Sequence, residues 1–209
     1  MEGEHTEQSR TELFLCGDVM TGRGIDQILP YPNDPVIYEP YLRDARDYLK
    51  LAEEVNGPIP RRAEFGYIWG DSLEVLEAAA PVAKIVNLET SVTTSPDYWP
   101  HKGINYRMNS ANAPCLTAAG IDCCVLANNH VMDWGYRGLD ETLRTLERTG
   151  LKIAGAGRDR EEAAAPAIMD LPGGQRLLVF GMGTRSSGIP DSLEARKERS
   201  PTSEPPSRR

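Results

Sequence analysis

The sequence predicts an α/β fold, and two observations support that prediction. Short apolar runs alternate along the chain with segments whose apolar residues recur at helical spacing. Three successive apolar runs also end in polar residues, at Asp18, at Glu89 and at residues 128–133. In open α/β sheets, ligands bind beyond the carboxyl ends of the strands, so we expect these three clusters to converge in space.

The predicted strands are short apolar runs bounded by polar or turn residues. The first ends at Gly17 and delivers Asp18 to a loop, the second delivers Glu89, and the third delivers Asn128. A Pro-Gly-Gly-Gln sequence between the last two runs is a hairpin signal. In chain order, the predicted strands cover residues 12–16, 83–88, 121–127, 153–154, 167–171 and 176–180.

The predicted helices carry an apolar face and have start or stop signals at their ends. Asp71 is placed as an N-cap, and Pro81 ends that helix because proline cannot continue it. Gly120 and Gly150 close two later helices. In chain order, the predicted helical segments are Leu42 to Ala52, Asp71 to Ala80, Asn109 or Ser110 to Ala119, Gly138 or Leu139 to Gly150, and Arg160 to Ala165.

Composition and charge narrow the class of protein. The chain has 209 residues, of which 40% are hydrophobic and 26% charged, as expected for a globular domain. The net charge of −8 argues against a nucleic-acid partner, which needs a basic surface. The four cysteines lack the C-x-x-C spacing of a zinc site, so we expect buried free thiols.

The two ends of the chain differ in character from its middle. Residues 1–10 form a polar leader without the apolar core of a signal peptide, and no run of about 18 apolar residues encodes a membrane span. Residues 191–209 are rich in Ser, Pro, Glu and Arg and are expected to form a disordered tail. The sequence therefore predicts one domain over residues 11–190 and, as written, a cytoplasmic location.

The polar residues at the strand ends suggest a metal site. Asp18 and Glu89 are anionic oxygen donors, Asn129 offers an amide carbonyl, and His130 adds an imidazole. Such sets suit divalent cations, with imidazole adding affinity for manganese, iron or zinc. Metal ions of this kind can bind a phosphate ester and activate water, while a neighbouring histidine protonates the leaving oxygen.

Each of these residues also has a structural alternative. Asp18 could be a turn or cap residue, Glu89 a solvated carboxylate, and Asn129 part of a turn before a helix. His130 could be a satisfied polar residue, and Asp133 could only cap or orient its neighbour. Their placement after three successive strands favours the functional interpretation.

Two other kinds of site are disfavoured. The segment from Gly17 to Gly24 has the glycine spacing of a phosphate-binding loop, but Arg23-Gly24 stands where that motif needs Lys followed by Ser or Thr. A Ser-His-acid triad is not suggested, because His5 lies in the polar leader and His101 in a proline-rich loop.

These motifs resemble the CapA family of poly-gamma-glutamate capsule biosynthesis proteins, a branch of the calcineurin-like metallophosphoesterase superfamily. The resemblance covers about residues 11–190, and its most specific part is the Asn-Asn-His-x-x-Asp-x-Gly block that begins at Asn128. The other matching stretches are Gly17 to Met20 with Arg23, Val86 to Thr90, Ala118 to Asp122, Leu126-Ala127 before the block, Gly138-Leu139 with Thr142-Leu143, Gly155 to Gly157 and Ser186 to Pro190.

The resemblance implies a four-layered α/β sandwich with a metal centre between strand-end loops. It places Asp18, Glu89 and Asn129 at metal-ligand positions and His130 at the position that assists the leaving group, beside Asp133. Arg23 is then expected to contact an anionic substrate group, with a plain surface arginine as the alternative. The implied ligands and partners are divalent metal ions, a small-molecule or polymer substrate and capsule-synthesis proteins. Family members commonly act at the cell envelope.

The chain departs from the family pattern after Pro190. Family members continue with further strands and a Gly-His-x-x-His cluster, whereas the histidines here are His5, His101 and His130. We therefore expect a chain truncated at its C-terminus, with only part of the sandwich and an apolar sheet face exposed. Metal binding is expected to be weak or absent, because a shell without its late histidines is incomplete.

Three functions are compatible with this pattern. The chain is a metal-dependent hydrolase or transferase of the metallophosphoesterase type acting in poly-gamma-glutamate capsule biosynthesis, or a catalytically inactive relic of one. The third possibility is a non-catalytic interaction module in envelope polymer synthesis.

Overall fold

The computed structural model describes residues 11–189, which form strands and helices in alternation. The predicted leader and tail lie outside the described residues. The strands are β1 (Leu13–Val19), β2 (Ala83–Leu88), β3 (Ser91–Val92), β4 (Arg107–Met108), β5 (Cys123–Val125), β6 (Lys152–Ala154), β7 (Ala167–Asp170) and β8 (Arg176–Val179). The helices are α1 (Arg23–Ile28), α2 (Arg46–Asn56), α3 (Ser72–Ala79), α4 (Pro114–Ala118), α5 (Gly135–Arg148) and α6 (Arg160–Ala164).

A four-stranded parallel sheet organises the fold, with the strand order β1-β2-β5-β6. Parallel strands place their carboxyl ends at one edge, so the residues that follow β1, β2 and β5 meet there. Two small additional pairs accompany the sheet: β3 with β4 in parallel, and the antiparallel hairpin β7–β8. The predicted α/β class is confirmed.

The two faces of the sheet are covered to different extents. One face packs into a large core with α4 and α5, which includes Leu116, Leu126 and Leu143, each at most 1% exposed. The other face packs against the β7–β8 hairpin through Ala167 and Met169. Beyond the hairpin, apolar side chains face solvent: Leu15 is 69% exposed and Phe180 60%. Exposed apolar side chains on the sheet were expected, and Leu15 on the edge strand β1 is one of them.

Several boundaries differ from the predictions. Strand β1 runs past Gly17 to Val19, so Asp18 lies within an irregular strand end and the prediction of a loop position was wrong. Helix α2 begins at Arg46, and α5 begins at Gly135, three residues before the predicted start. The segment 109–112 forms a separate 3-10 turn before α4, with the Asn109 side chain accepting from the N–H of Ala111.

The free thiols that the sequence predicts are present in the described region. All four cysteines are free thiols, and Cys115, Cys123 and Cys124 are fully buried, whereas Cys16 is half-buried. Within residues 11–189, every helix is too short or too polar to cross a membrane.

Candidate functional site

A chain of hydrogen bonds joins the three strand ends that were predicted to converge. The Asn87 side chain, near the end of β2, donates to Asp18 Oδ1 at 2.8 Å and accepts from Asn128 Nδ2 at 3.0 Å. Asn128 Oδ1 in turn accepts from the backbone N–H of His130 at 2.9 Å. Asp18, Asn87, Asn128 and His130 therefore form one connected polar edge across three parallel strands.

Asp18 occupies an unusual backbone conformation at this edge. Its φ is +48°, in the left-handed region that residues other than glycine rarely adopt. The β1–β2 register also shifts between Cys16 and Val19. Such strain persists where the surroundings impose it, and it often accompanies functional positions. The irregularity carries the Asp18 carboxylate to the exposed end of the sheet, where Asn87 holds it.

His130 is the most firmly held residue of the site. It is 6% exposed, its Nδ1 lies 2.7 Å from Asp133 Oδ2, and its ring stacks on Tyr106 with centroids 4.0 Å apart. Asp133 is fully buried and also accepts from the backbone N–H of Tyr106 at 2.6 Å. Since Asp133 occupies Nδ1, the free Nε2 edge of the imidazole is the one that faces the site.

Glu89 lies at that free edge. Its Oε1 is 3.5 Å from His130 Nε2, and its side chain is about one-fifth exposed. Burial raises the pKa of Glu89, His130 and Lys102 oppose that shift, and the carboxylates of Asp18 and Asp133 add to it. Two strand ends thus bring acidic groups close enough to repel one another.

Lys102 is a member of the site that sequence reasoning missed. It comes from the loop between β3 and β4, and its ammonium contacts Asp133 Oδ1 and the backbone carbonyl of Asn129, and lies 3.4 Å from His130 Nδ1. A lysine in a proline-rich loop gives no sequence signal for this contact. Its charge offsets that of the buried Asp133, which would otherwise be costly.

Glu141, on α5, anchors the start of the loop that carries Lys102. Its carboxylate accepts from Thr93 Oγ1 at 2.5 Å and from the backbone N–H of Thr94 at 3.1 Å. Burial raises the pKa of Glu141, but hydrogen bonds from Thr93, Ser110 and Thr94 outweigh that effect and hold it below its ordinary value.

Arg23 and Asn129, the other two predicted site residues, make separate contacts. Arg23 contacts the Tyr106 ring, with Cζ 4.7 Å from the centroid, and its Nε donates to Glu39. The backbone carbonyl of Asn129 accepts from Lys102, and its side chain lies beside Gly188. The structure therefore brings together Asp18, Glu89, His130 and Asp133, with Arg23 one aromatic ring away, while the Asn129 side chain packs toward the segment that follows β8.

The residues at the strand ends match a divalent cation in donor type. Asp18 and Glu89 supply carboxylates, Asn129 an amide oxygen, and His130 an imidazole nitrogen. Across residues 11–189, no three His, Cys, Asp or Glu side chains are grouped as a ready-made metal cluster. Burial is the main cause of the raised pKa of Glu89, and repulsion from Asp18 adds to it; a cation between the carboxylates would relieve that repulsion.

Comparison with known protein families gives a match over almost the whole chain. The family model described as bacterial capsule synthesis protein, PGA_cap, matches residues 12–208. This family is of the metallophosphoesterase-like type, in agreement with the parallel sheet and its helices.

Individual relatives agree with the family match. A probable polyglutamine synthesis accessory protein of Mycobacterium tuberculosis is 43% identical over 187 residues, which is 90% of this chain and 49% of that protein. The capsule biosynthesis protein CapA of Bacillus anthracis is 24% identical over 157 residues, 75% of this chain and 31% of that protein. The chain spans about half the length of the first of these relatives and a smaller part of the second.

Proposed function

Because the chain belongs to the bacterial capsule synthesis protein family, PGA_cap, we propose that it acts in capsule or poly-gamma-glutamate synthesis through a metallophosphoesterase-type site. In this proposal the chain is a metal-dependent hydrolase or transferase that cleaves a phosphate-ester or acyl-peptide bond. The name of the mycobacterial relative, which places that protein in polyglutamine synthesis, supports the polymer pathway.

The observation that carries the chemical part of the proposal is the His130–Asp133 pair. Asp133 Oδ2 accepts from His130 Nδ1 at 2.7 Å, which fixes the ring and leaves Nε2 directed at Glu89, 3.5 Å away. A histidine held in this way can deliver a proton to a leaving oxygen or nitrogen at Nε2. In the proposal His130 is the general acid, and Asp133 orients it and stabilises its charged form.

Asp18, Glu89 and Asn129 are the proposed metal ligands. A divalent ion such as manganese, iron or zinc would polarise the scissile bond and lower the pKa of a water nucleophile. The protein's own contribution is to hold the two carboxylates at adjacent strand ends, with Asn87 fixing Asp18 at 2.8 Å. Arg23 is proposed to bind an anionic group of the substrate.

Hydrolysis of a generic phosphodiester by the purified chain, with added manganese or zinc, tests the catalytic proposal. We expect His130→Ala to reduce activity at least a hundredfold, since proton transfer alone contributes about 10²–10⁴. Asp18→Ala should also reduce activity strongly, because it removes a proposed metal ligand. His101→Ala is the matched control, because His101 is exposed and lies in the same loop as Lys102. Failure of the wild-type chain to retain either metal would overturn the proposal.

A second candidate function is an accessory role without catalysis. The exposed apolar side chains of Leu15 and Phe180, 69% and 60% exposed, favour association with another polypeptide of the synthesis machinery. Co-purification of the wild-type chain with capsule-synthesis proteins, lost in a Leu15→Asp, Phe180→Asp double variant whose thermal melt matches that of wild type, would favour this role.

A further inference from the structure

Arg23 is held by an unusually complete set of contacts for an arginine at a site edge. Its Nε donates to Glu39 Oε1 at 2.6 Å, and Glu39 is fully buried. Tyr48 donates its hydroxyl to the other carboxylate oxygen of Glu39 at 2.5 Å. Both oxygens of the buried Glu39 carboxylate therefore accept a hydrogen bond, and one of these two hydrogen bonds orients Arg23.

Two aromatic rings lie against the guanidinium. Arg23 Cζ lies 4.8 Å from the centroid of Tyr48 and 4.7 Å from that of Tyr106. The Arg23 side chain is only 17% exposed, and its backbone has a φ of +52°, which also restricts where the side chain can go. Arginine suits such a stack because its planar, weakly hydrated cation packs well on rings.

The terminal nitrogens of Arg23 remain available. Within residues 11–189, Glu39 is the hydrogen-bond acceptor of Arg23 and receives only Nε–H, so Nη1 and Nη2 have no protein acceptor there. The entropy of ordering the long side chain has already been lost in the folded protein. A ligand that binds these nitrogens therefore does not incur that cost, which is the physical basis of preorganised recognition.

Tyr106 lies between Arg23 and His130 and contacts both. The Tyr106 ring that contacts Arg23 also stacks on His130, with ring centroids 4.0 Å apart. An anion held by Arg23 is thus separated from the imidazole by one aromatic ring. This arrangement suits a substrate whose charged group is attached close to the bond on which His130 acts.

The ion pair with Glu39 limits how much further negative charge Arg23 can neutralise. Because Glu39 already balances the charge of Arg23, a ligand group with one negative charge at the guanidinium is favoured over a group with two. The guanidinium fork also matches a planar carboxylate with two parallel hydrogen bonds.

We propose that Arg23, positioned by Glu39, Tyr48 and Tyr106, determines specificity by binding a free carboxylate of the substrate beside His130. This inference rests on the proposed function and takes its acyl-peptide form, with a poly-gamma-glutamate chain as the substrate. In a γ-linked glutamyl chain, the carbon attached to each amide nitrogen carries a free carboxylate. Arg23 would bind that group on the residue that follows the scissile bond.

Calorimetric binding of γ-linked triglutamate to the full chain tests this role without any need for turnover. We expect Arg23→Met to weaken binding at least tenfold and Arg23→Lys to weaken it less, because lysine keeps the charge but loses the fork. The methyl ester of the same peptide should bind weakly to all variants. Arg137→Met is the matched control, since Arg137 is an exposed arginine whose partner Asp97 is 3.7 Å away, and its binding should equal that of wild type.

The Arg23→Met, Glu39→Gln double variant guards against loss of folding, because it removes the charge of the buried Glu39 together with the charge of its partner. A folded double variant, judged by its thermal melt, that binds triglutamate as tightly as wild type would overturn the inference. Preferential binding of inorganic phosphate, lost in Arg23→Lys, would overturn it as well. The proposed function fails separately, since Arg23-dependent triglutamate binding can be present in a chain that hydrolyses nothing.

Discussion

The two halves of the candidate site are built in contrasting ways. The histidine half is buried and heavily bonded: Asp133 is fully buried and accepts from His130, from the Tyr106 backbone and from Lys102. The carboxylate half is open, since Asp18 is exposed and its hydrogen bond comes from Asn87 alone among the described side chains. The difference indicates that the fold itself holds His130 in place, whereas Asp18 has less support from its surroundings. We propose that a cation completes the arrangement of the carboxylate half.

The strongest test of this contrast is the loss of Asp133. Asp133→Ala leaves the partly buried Lys102 without its carboxylate, and we expect the free energy of unfolding to fall by about 3 kcal/mol. Urea denaturation followed by circular dichroism measures the change. Asp97→Ala, which removes an exposed carboxylate 3.7 Å from Arg137, is the control and should cost less than about 0.5 kcal/mol. A loss below about 1 kcal/mol for Asp133→Ala would contradict the account, since burial of an unpaired charge costs more.

A smaller effect is expected at Asp18, where backbone strain rather than bonding dominates. Because Asp18 has a φ of +48°, Asp18→Gly should be more stable than Asp18→Ala by about 1 kcal/mol. Both variants lose the hydrogen bond to Asn87, so the difference in stability between them measures the cost of the left-handed backbone conformation alone. Equal midpoints in urea would show that the left-handed conformation of this residue is not retained in solution.

The smallest expected effect concerns Glu141, which anchors the loop that carries Lys102, and this effect depends on pH. The pKa of Glu141 is lowered in the folded protein, so its ionised form adds stability above the ordinary carboxyl pKa, and this contribution is lost as the pH falls through the folded value. The melting temperature of wild type should exceed that of Glu141→Gln at pH 7, and the gap should close toward pH 3. Glu161→Gln, at an exposed position on α6, provides the control. A gap that stays constant across this range would contradict the assigned hydrogen bonds.

The parts of the fold that could be predicted from sequence are those with local, periodic signals. The bounds of β2 and the existence of the β7–β8 hairpin follow from apolar runs and turn residues. Helix α1 and the two-residue pair β3–β4 were missed, because neither is long enough to show a period. Their formation depends on tertiary contacts that single-sequence patterns do not encode.

The candidate site divides in the same way. Asp18, Glu89, His130 and Asp133 could be identified because they follow apolar runs in sequence, and the structure brings them together at one edge of the sheet. Their chemical roles stay predictions. Lys102, Glu39 and Tyr106 come from loops with no periodic signal, and only the folded arrangement shows that they hold Asp133, Arg23 and His130. Asn129 was also predicted to be a metal ligand, and its side chain lies beside Gly188.

The central claim is that the open half of the site binds a divalent cation, and manganese titration by calorimetry tests it most directly. The account predicts saturable binding to the wild-type chain, loss of binding in the Asp18→Asn, Glu89→Gln double variant, and unchanged binding in Asp97→Asn. Each substitution keeps the side chain's size and removes its charge, so the fold should be preserved. Binding that is absent from the wild type, or equal in the wild type and the double variant, would contradict it.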